Sequence, residues 1–240
     1  MADRIMAVRE GTVRLSYNVR TGICGDGETF IRDRARGENN FYTGDTRRDR
    51  NWRDRRCEPG PARVAITKSG GAVTRVKVYV GGEWQSGGTG VTDFGDVAAP
   101  LAAKALIALA GQGHKADDAI LGAMIADSAV VWPDLLALAK QGSTPKESRK
   151  SAVFWLSQIA GDAATAGLQE LADDEGEDRD IRDQAVFALS QLPEDQGIPI
   201  LIRLARSNKD PQIRRKALFW LGQSDDPRAL RLIEEILTKG

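Results

Sequence analysis

The 240-residue chain carries 34 basic and 34 acidic side chains, so no bulk charge draws it to a nucleic acid or an anionic membrane. No apolar run approaches the roughly 18 residues that a membrane-crossing helix needs. The length allows one or two domains with a sizeable core. Residues 1–63 hold 14 Arg, no Lys and ten acids, and residues 97–240 hold 17 basic and 21 acidic residues. That asymmetry is too small to decide a partner.

Met1–Glu10 has no apolar core of the kind that defines a secretory signal. Ile5–Val8 reads as a weak strand, and Val13–Arg20 as a half-buried one. In the latter, Val13, Leu15, Tyr17 and Val19 alternate with Arg14, Ser16, Asn18 and Arg20. Thr29–Ile31 is another short strand candidate. Ala62–Thr67 and the Val76, Val78, Val80 run flank Ser69-Gly70-Gly71, the pattern of a hairpin. A small antiparallel β domain is therefore expected over residues 1–90, with Arg32–Pro61 as a long excursion. Gly81–Gly95 holds six glycines in fifteen residues; it reads as a linker or as an ordered loop that docks the sheet on the helices.

Cys24 and Cys57 are the only cysteines and His114 the only histidine. A zinc site needs about four ligands, so a metal centre is not expected, and the spacing is not that of a C-x-x-C redox pair. A structural disulfide is expected, with two free thiols as the alternative. A bridge would stabilise by about 3–4 kcal/mol through the unfolded state and would imply an oxidising compartment. The expected location is then extracytoplasmic, in a periplasm with a leader removed; without the bridge it is the cytoplasm.

From Asp96 to the end the pattern is helical. Asp96 is a candidate cap for a helix to Ala110, with Pro100 in its first turn. Helices follow at 115–127, 132–141, 145–159, 163–173, 179–191, 197–206, 211–222 and 227–238. A seven-residue phrase recurs as Ala152–Gln158 (AVFWLSQ), Ala185–Gln191 (AVFALSQ) and Ala217–Gln223 (ALFWLGQ). The even spacing of the copies, roughly 33 residues, marks a solenoid array. Residues 96–240 thus read as four helix pairs behind one leading helix, an overall α+β but mostly α protein. In the second helices, Leu135, Leu168, Leu201 and Ile233 form one apolar seam with Leu138, Leu171, Leu204 and Ile236. Only stacking can bury that seam.

Asp210, Pro211, Ile213, Arg214, Ala217 and Leu218, preceded one repeat earlier by Asp178, Ile181, Arg182, Ala185 and Val186, resemble the short bacterial HEAT-like repeats of lyase type, D-P-x-[VI]-R-x-x-A-[VL]. The resemblance spans roughly residues 115–240 and implies an α-solenoid. It also implies a ladder between repeats made by the cap acids Asp178 and Asp210 and by Arg149, Arg182 and Arg214. Residues 1–90 match no part of the repeat.

Enzymes on HEAT-like scaffolds use a chromophore-binding Cys, iron held by His and Glu, or Trp and acids in a basic groove. The array has no Cys, and Trp155 and Trp220 fall within the repeated phrase, where packing is their expected role. Neither a phosphate loop nor a nucleophile motif is present. The expected function is non-enzymatic: a protein-binding or scaffolding module, with no cofactor, that uses the concave face of the solenoid. The partner-binding candidates there are Glu170, Asp173, Arg203, Arg206 and Glu235, beside apolar Leu136 and Ile202. Their signs alternate, which suits a protein better than a phosphate backbone. Arg47, Arg48 and Arg50, in the acid-broken run Arg47–Arg56, are a second candidate, for a protein or for an anionic polymer such as nucleic acid. The rival reading is an enzyme or cofactor carrier with its site between sheet and solenoid.

Overall fold

A computed structural model describes residues 1–36, 39–42, 57–85, 90–112, 116–159 and 161–239. The fold is α+β, with a small β region followed by a helical stack, and divides into two compact units, Met1–Val131 and Trp132–Gly240.

The first unit is organised around β1 (Gly11–Tyr17). Its alternation buries Val13, Leu15 and Tyr17 and leaves Arg14 and Ser16 partly exposed. β2 (Ile23–Gly25), β3 (Phe30–Asp33) and β4 (Asn39–Tyr42) form a small antiparallel sheet. β5 (Ala62–Ser69) and β6 (Ala72–Val80) form the expected hairpin, in which Gly70 and Gly71 take φ values of 60° and 84°. Those signs fit the turn that joins twisted strands most easily. β7 (Val91–Asp96) begins inside Gly81–Gly95, the segment read as a linker or docking loop, and pairs in parallel with β1, so the larger sheet runs β6-β5-β1-β7.

Two further elements depart from the sequence reading. Ile5 belongs to a short helix, α1 (Ala2–Ala7), not a strand. Two carbonyls of its last turn, on Ile5 and Met6, accept from the buried ammonium of Lys68 at 3.1 and 2.9 Å. A cation at a helix C-terminus is favourable, and no local pattern announces it. Asp96 ends β7 and caps nothing: α2 (Ala99–Ala110) starts three residues later, with Ala98 at its N-cap.

α2 and α3 (Ala116–Ile125) pack on each other and on the sheet, so these helices, read as the start of the solenoid, fall in the first unit. Gly122 explains the fit. A Cβ there would stand 2.9 Å from Leu106, 3.1 Å from the Tyr17 hydroxyl and 3.2 Å from Val78. Without one, Tyr17 donates a 2.7 Å hydrogen bond to the Gly122 carbonyl, and its burial pushes the phenol pKa upward.

The second unit begins with α4 (Trp132–Lys140). Three antiparallel pairs follow: α5 (Lys146–Ser157) with α6 (Asp162–Asp173), α7 (Arg179–Ser190) with α8 (Glu194–Ser207), and α9 (Pro211–Leu221) with α10 (Pro227–Lys239). First helices stack α5-α7-α9 and second helices α4-α6-α8-α10. The seam residues Leu135, Leu138, Leu168, Leu171, Leu201 and Leu204 are buried. In α10 the pattern shifts: Ala229 and Leu232 turn inward, while Ile236 is 44% exposed. Among the described residues α10 packs on α8 and α9, and the burial of the earlier seam is not repeated at Ile236.

Candidate protein-binding face

Two sets of charges bind successive repeats of the second unit. The inner set is nearly buried. From α5, Arg149 donates Nε to the Ala139 carbonyl at 2.6 Å and meets Glu177 at 2.5 Å. From α7, Arg182 donates Nε to the Ala172 carbonyl at 3.3 Å and meets Asp210 at 3.0 Å. Each guanidinium therefore ties the end of the preceding second helix to the acid that opens the next repeat. Asn208 joins the second rung, accepting from Arg182 and donating to Asp173.

The caps have a local origin. Asp178 and Asp210 accept from the backbone N–H two residues on, at 2.9 and 2.8 Å. Asp178 is not the partner of Arg149; its neighbour Glu177 is, and Asp178 pairs with Lys146 at 3.0 Å. Hydrogen bonding from Lys146 holds the Asp178 carboxyl below its ordinary range, and the Gln212 N–H does the same for Asp210. Arg214, the third ladder candidate, meets no carboxylate among the described residues and donates to the carbonyls of Asn208 and Lys209.

The outer set lies along the second helices. Lys140 pairs with Glu170 at 2.6 Å, Asp173 with Arg203 at 2.7 Å, and Arg206 with Glu235 at 2.7 Å. The five partner-contact candidates proposed on the second helices, Glu170, Asp173, Arg203, Arg206 and Glu235, thus fall on one ridge, each already paired with the repeat before or after it. The pairs remain partly exposed. Leu136 and Ile202 are half-buried beside them, and Leu136 covers Gly167, where a Cβ would approach it to 2.8 Å. Lys140 belongs to this set, and its offset to Glu170, the same as that from Asp173 to Arg203, is the signal in the sequence that finds it.

The repeated phrase supplies packing. Ala152, Ala185 and Ala217 are fully buried, as are Leu156, Leu189 and Leu221. Its Phe positions point outward instead: Phe154 is 37% and Phe219 55% exposed, and Phe187 is intermediate. Phe187 rests on Trp220 of the next repeat at 5.1 Å between centroids, whereas Phe154 faces a repeat with Ala188 at that position. Trp220 also borders a cleft of about 290 Å³ with Leu192, Ile198 and Asp225, and its buried indole N–H has no acceptor among the described residues.

In the first unit the sulfurs of Cys24 and Cys57 lie at disulfide distance, 2.06 Å, beside a Gly25–Glu58 bridge. Arg47, Arg48, Arg50 and His114 lie outside the described residues. Among the described residues no group of three His, Cys, Asp or Glu side chains is placed to hold a metal ion, and no helix is long and apolar enough to cross a membrane.

Residues 174–240 match the family model for HEAT repeats, which coincides with the last two helix pairs. No curated protein matches the chain.

Proposed function

We propose that this protein is a non-enzymatic binding or scaffolding module that engages a protein partner through the outer ridge of its second helices. The observation that carries the reading is the paired ridge: Arg203 and Arg206 are held in place by Asp173 and Glu235, yet remain partly exposed. Side chains already immobilised lose little entropy on association. Arginines beside apolar Leu136 and Ile202 provide the mixture of core and rim that protein interfaces use. The alternating signs leave no positive stripe for a phosphate backbone. In the same unit, Asp178, Asp210 and Asp226 all have lowered pKa values. They stay ionised at neutral pH, away from the range in which a general acid or base works.

The Cys24–Cys57 distance supports an oxidising, extracytoplasmic compartment such as a periplasm. Alkylation of the native protein without reductant should modify neither thiol, and modification of both would return the protein to the cytoplasm.

The ridge is tested by inverting its pattern while keeping its pairs. Arg206→Glu combined with Glu235→Arg should move the melting temperature by less than about 4 °C, because an exposed pair contributes little. The same exchange should abolish retention of the native partner by the immobilised chain. Retention by this variant, together with its loss when Arg47, Arg48 and Arg50 are neutralised, would transfer binding to the Arg-rich segment.

A further inference from the structure

We propose that the cleft beside Trp220 is a binding site for the amino-terminal residue of a partner protein, one with an apolar side chain. The cleft is a surface other than the ridge and stands on its own observations.

Its walls all come from two adjacent repeats, where the α7–α8 turn meets the α9–α10 turn. Leu192, Ile198 and Leu201 are buried and give it an apolar wall. Trp220 closes another side, its ring held by Phe187 at 5.1 Å and Phe219 at 5.0 Å between centroids. Its indole Nε1 is buried and meets no acceptor among the described residues. A buried donor left unpaired costs free energy that an incoming acceptor recovers. Glu194 and Asp225 line the cleft from exposed positions, and neither forms an ion pair among the described residues. The charge of nearby Arg228 is already matched: its guanidinium is held on Asp226 at 2.6 Å and meets Glu194 at the backbone carbonyl, at 3.0 Å.

The repeated phrase aligns Trp220 with Ala188 and, five residues on, Asp225 with Pro193. The indole and the acid therefore enter the array together at this interface, where one repeat earlier the chain packs without either. Their chemistry selects the occupant. Two carboxylates call for a cation, the indole N–H for an acceptor, and the buried aliphatic side chains for an apolar group. A volume of about 290 Å³ lies at the small end for ligand pockets, and suits a chain end rather than a helix laid in a groove. The first residue of a protein carries all three groups on one Cα: the protonated α-amine, the carbonyl and the side chain. A lysine instead separates its ammonium from the carbonyl by a four-carbon stem, which so small a volume disfavours.

The probe is leucyl-alaninamide, titrated into the isotope-labelled full chain. The indole N–H resonance of Trp220, identified by its absence in Trp220→Phe, should shift saturably. Acetylating the amine of the probe should weaken binding about tenfold or more, the scale of a lost charged hydrogen bond. Glu194→Gln combined with Asp225→Asn should do the same and move the melting temperature by less than about 2 °C, since both positions are exposed. Trp220→Phe, followed by calorimetry, removes the donor and should weaken binding about threefold to tenfold.

A Trp220 resonance that does not move at millimolar probe would overturn the proposal. So would equal binding of the acetylated probe, or unchanged binding by the Glu194→Gln, Asp225→Asn chain, because the acids would then recognise nothing. A preference for N-acetyl-lysinamide would overturn it as well, since the occupant would be an internal basic side chain. The chain with Arg206→Glu and Glu235→Arg should bind the dipeptide as the parent does, whether or not it still retains its native partner, so the cleft and the ridge fail separately.

Discussion

In the first unit a residue's decisive neighbours lie far along the chain, and in the second they lie about one repeat away. β1 pairs with residues 62–68 on one side and 91–96 on the other, and Tyr17 reaches Gly122, 105 residues on. The charge pairs of the second unit each link one repeat to the next. A central strand whose partners all close long loops must form together with them. A stack of pairs draws its stability from each repeat and its nearest neighbours. The two units should therefore fail differently, one as a whole and the other locally.

The largest effect expected is from Tyr17→Ala. The side chain is fully buried and its hydroxyl holds the α3 backbone, so the loss should be about 3–5 kcal/mol. Hydrogen exchange should accelerate together across β1, β5, β6 and α3. In the second unit, Leu204→Ala should cost about 2–5 kcal/mol and accelerate exchange in α8 and the helices it touches, while amides of α4 and α5 remain protected. Uniform acceleration throughout 132–239 would break the contrast.

Interior and terminal rungs sharpen it further. Arg182→Ala strands Asp210, which is only slightly solvated, and should cost about 3 kcal/mol, the lower end for a broken buried pair. Arg214→Ala removes a group held by loop carbonyls and should cost below about 1 kcal/mol. The Phe pair should follow the same order: Phe187→Ala about 1–2 kcal/mol by apolar area, Phe219→Ala less than about 1. Urea midpoints measure all four, and equal losses at Arg182 and Arg214 would mean the end rung is as fully engaged as the interior one.

This difference between the units also governs what the sequence revealed. Repetition made the second unit legible: the phrase at 152, 185 and 217 and the Asp178 and Asp210 caps outline its helices closely. Glu177 and Asp178 are adjacent acids, however, and only the path of the loop decides which one Arg149 meets. Periodicity also assigns every repeat the same burial, so it is silent about Phe219 and Ile236, which end the stack. In the first unit the alternating strands were clear, but β7 depends on pairing with β1, far earlier in the chain, and its glycine-rich approach has the composition of a linker. α1, six residues long, is held by Lys68, and nothing within those six residues marks it as a helix. Of the ridge, the residues were legible; that each is already paired became visible only in the fold.

The smallest effect expected is a dependence on acid at the last repeat. Asp226 caps α10, accepting from the Arg228 N–H at 2.7 Å, and its carboxylate is bracketed by the Arg228 guanidinium at 2.6 to 3.2 Å. The Arg228 side chain is the main cause that lowers its pKa to about 2 from an ordinary 3.8. The unfolded chain therefore takes up this proton first. The stabilisation is fully present above about pH 4 and fades as pH falls toward 2. Asp226→Asn should melt at a lower temperature than the parent at pH 6, and the gap should narrow steadily from pH 4 to pH 2. Asp210 is held down less strongly, chiefly by the Gln212 N–H, so in Asp210→Asn the acid-dependent part of the gap should be smaller. A gap for Asp226→Asn that stays constant down to pH 2 would mean that Arg228 does not hold the carboxylate in solution, and that α10 at the end of the array is capped less firmly than α9 behind it.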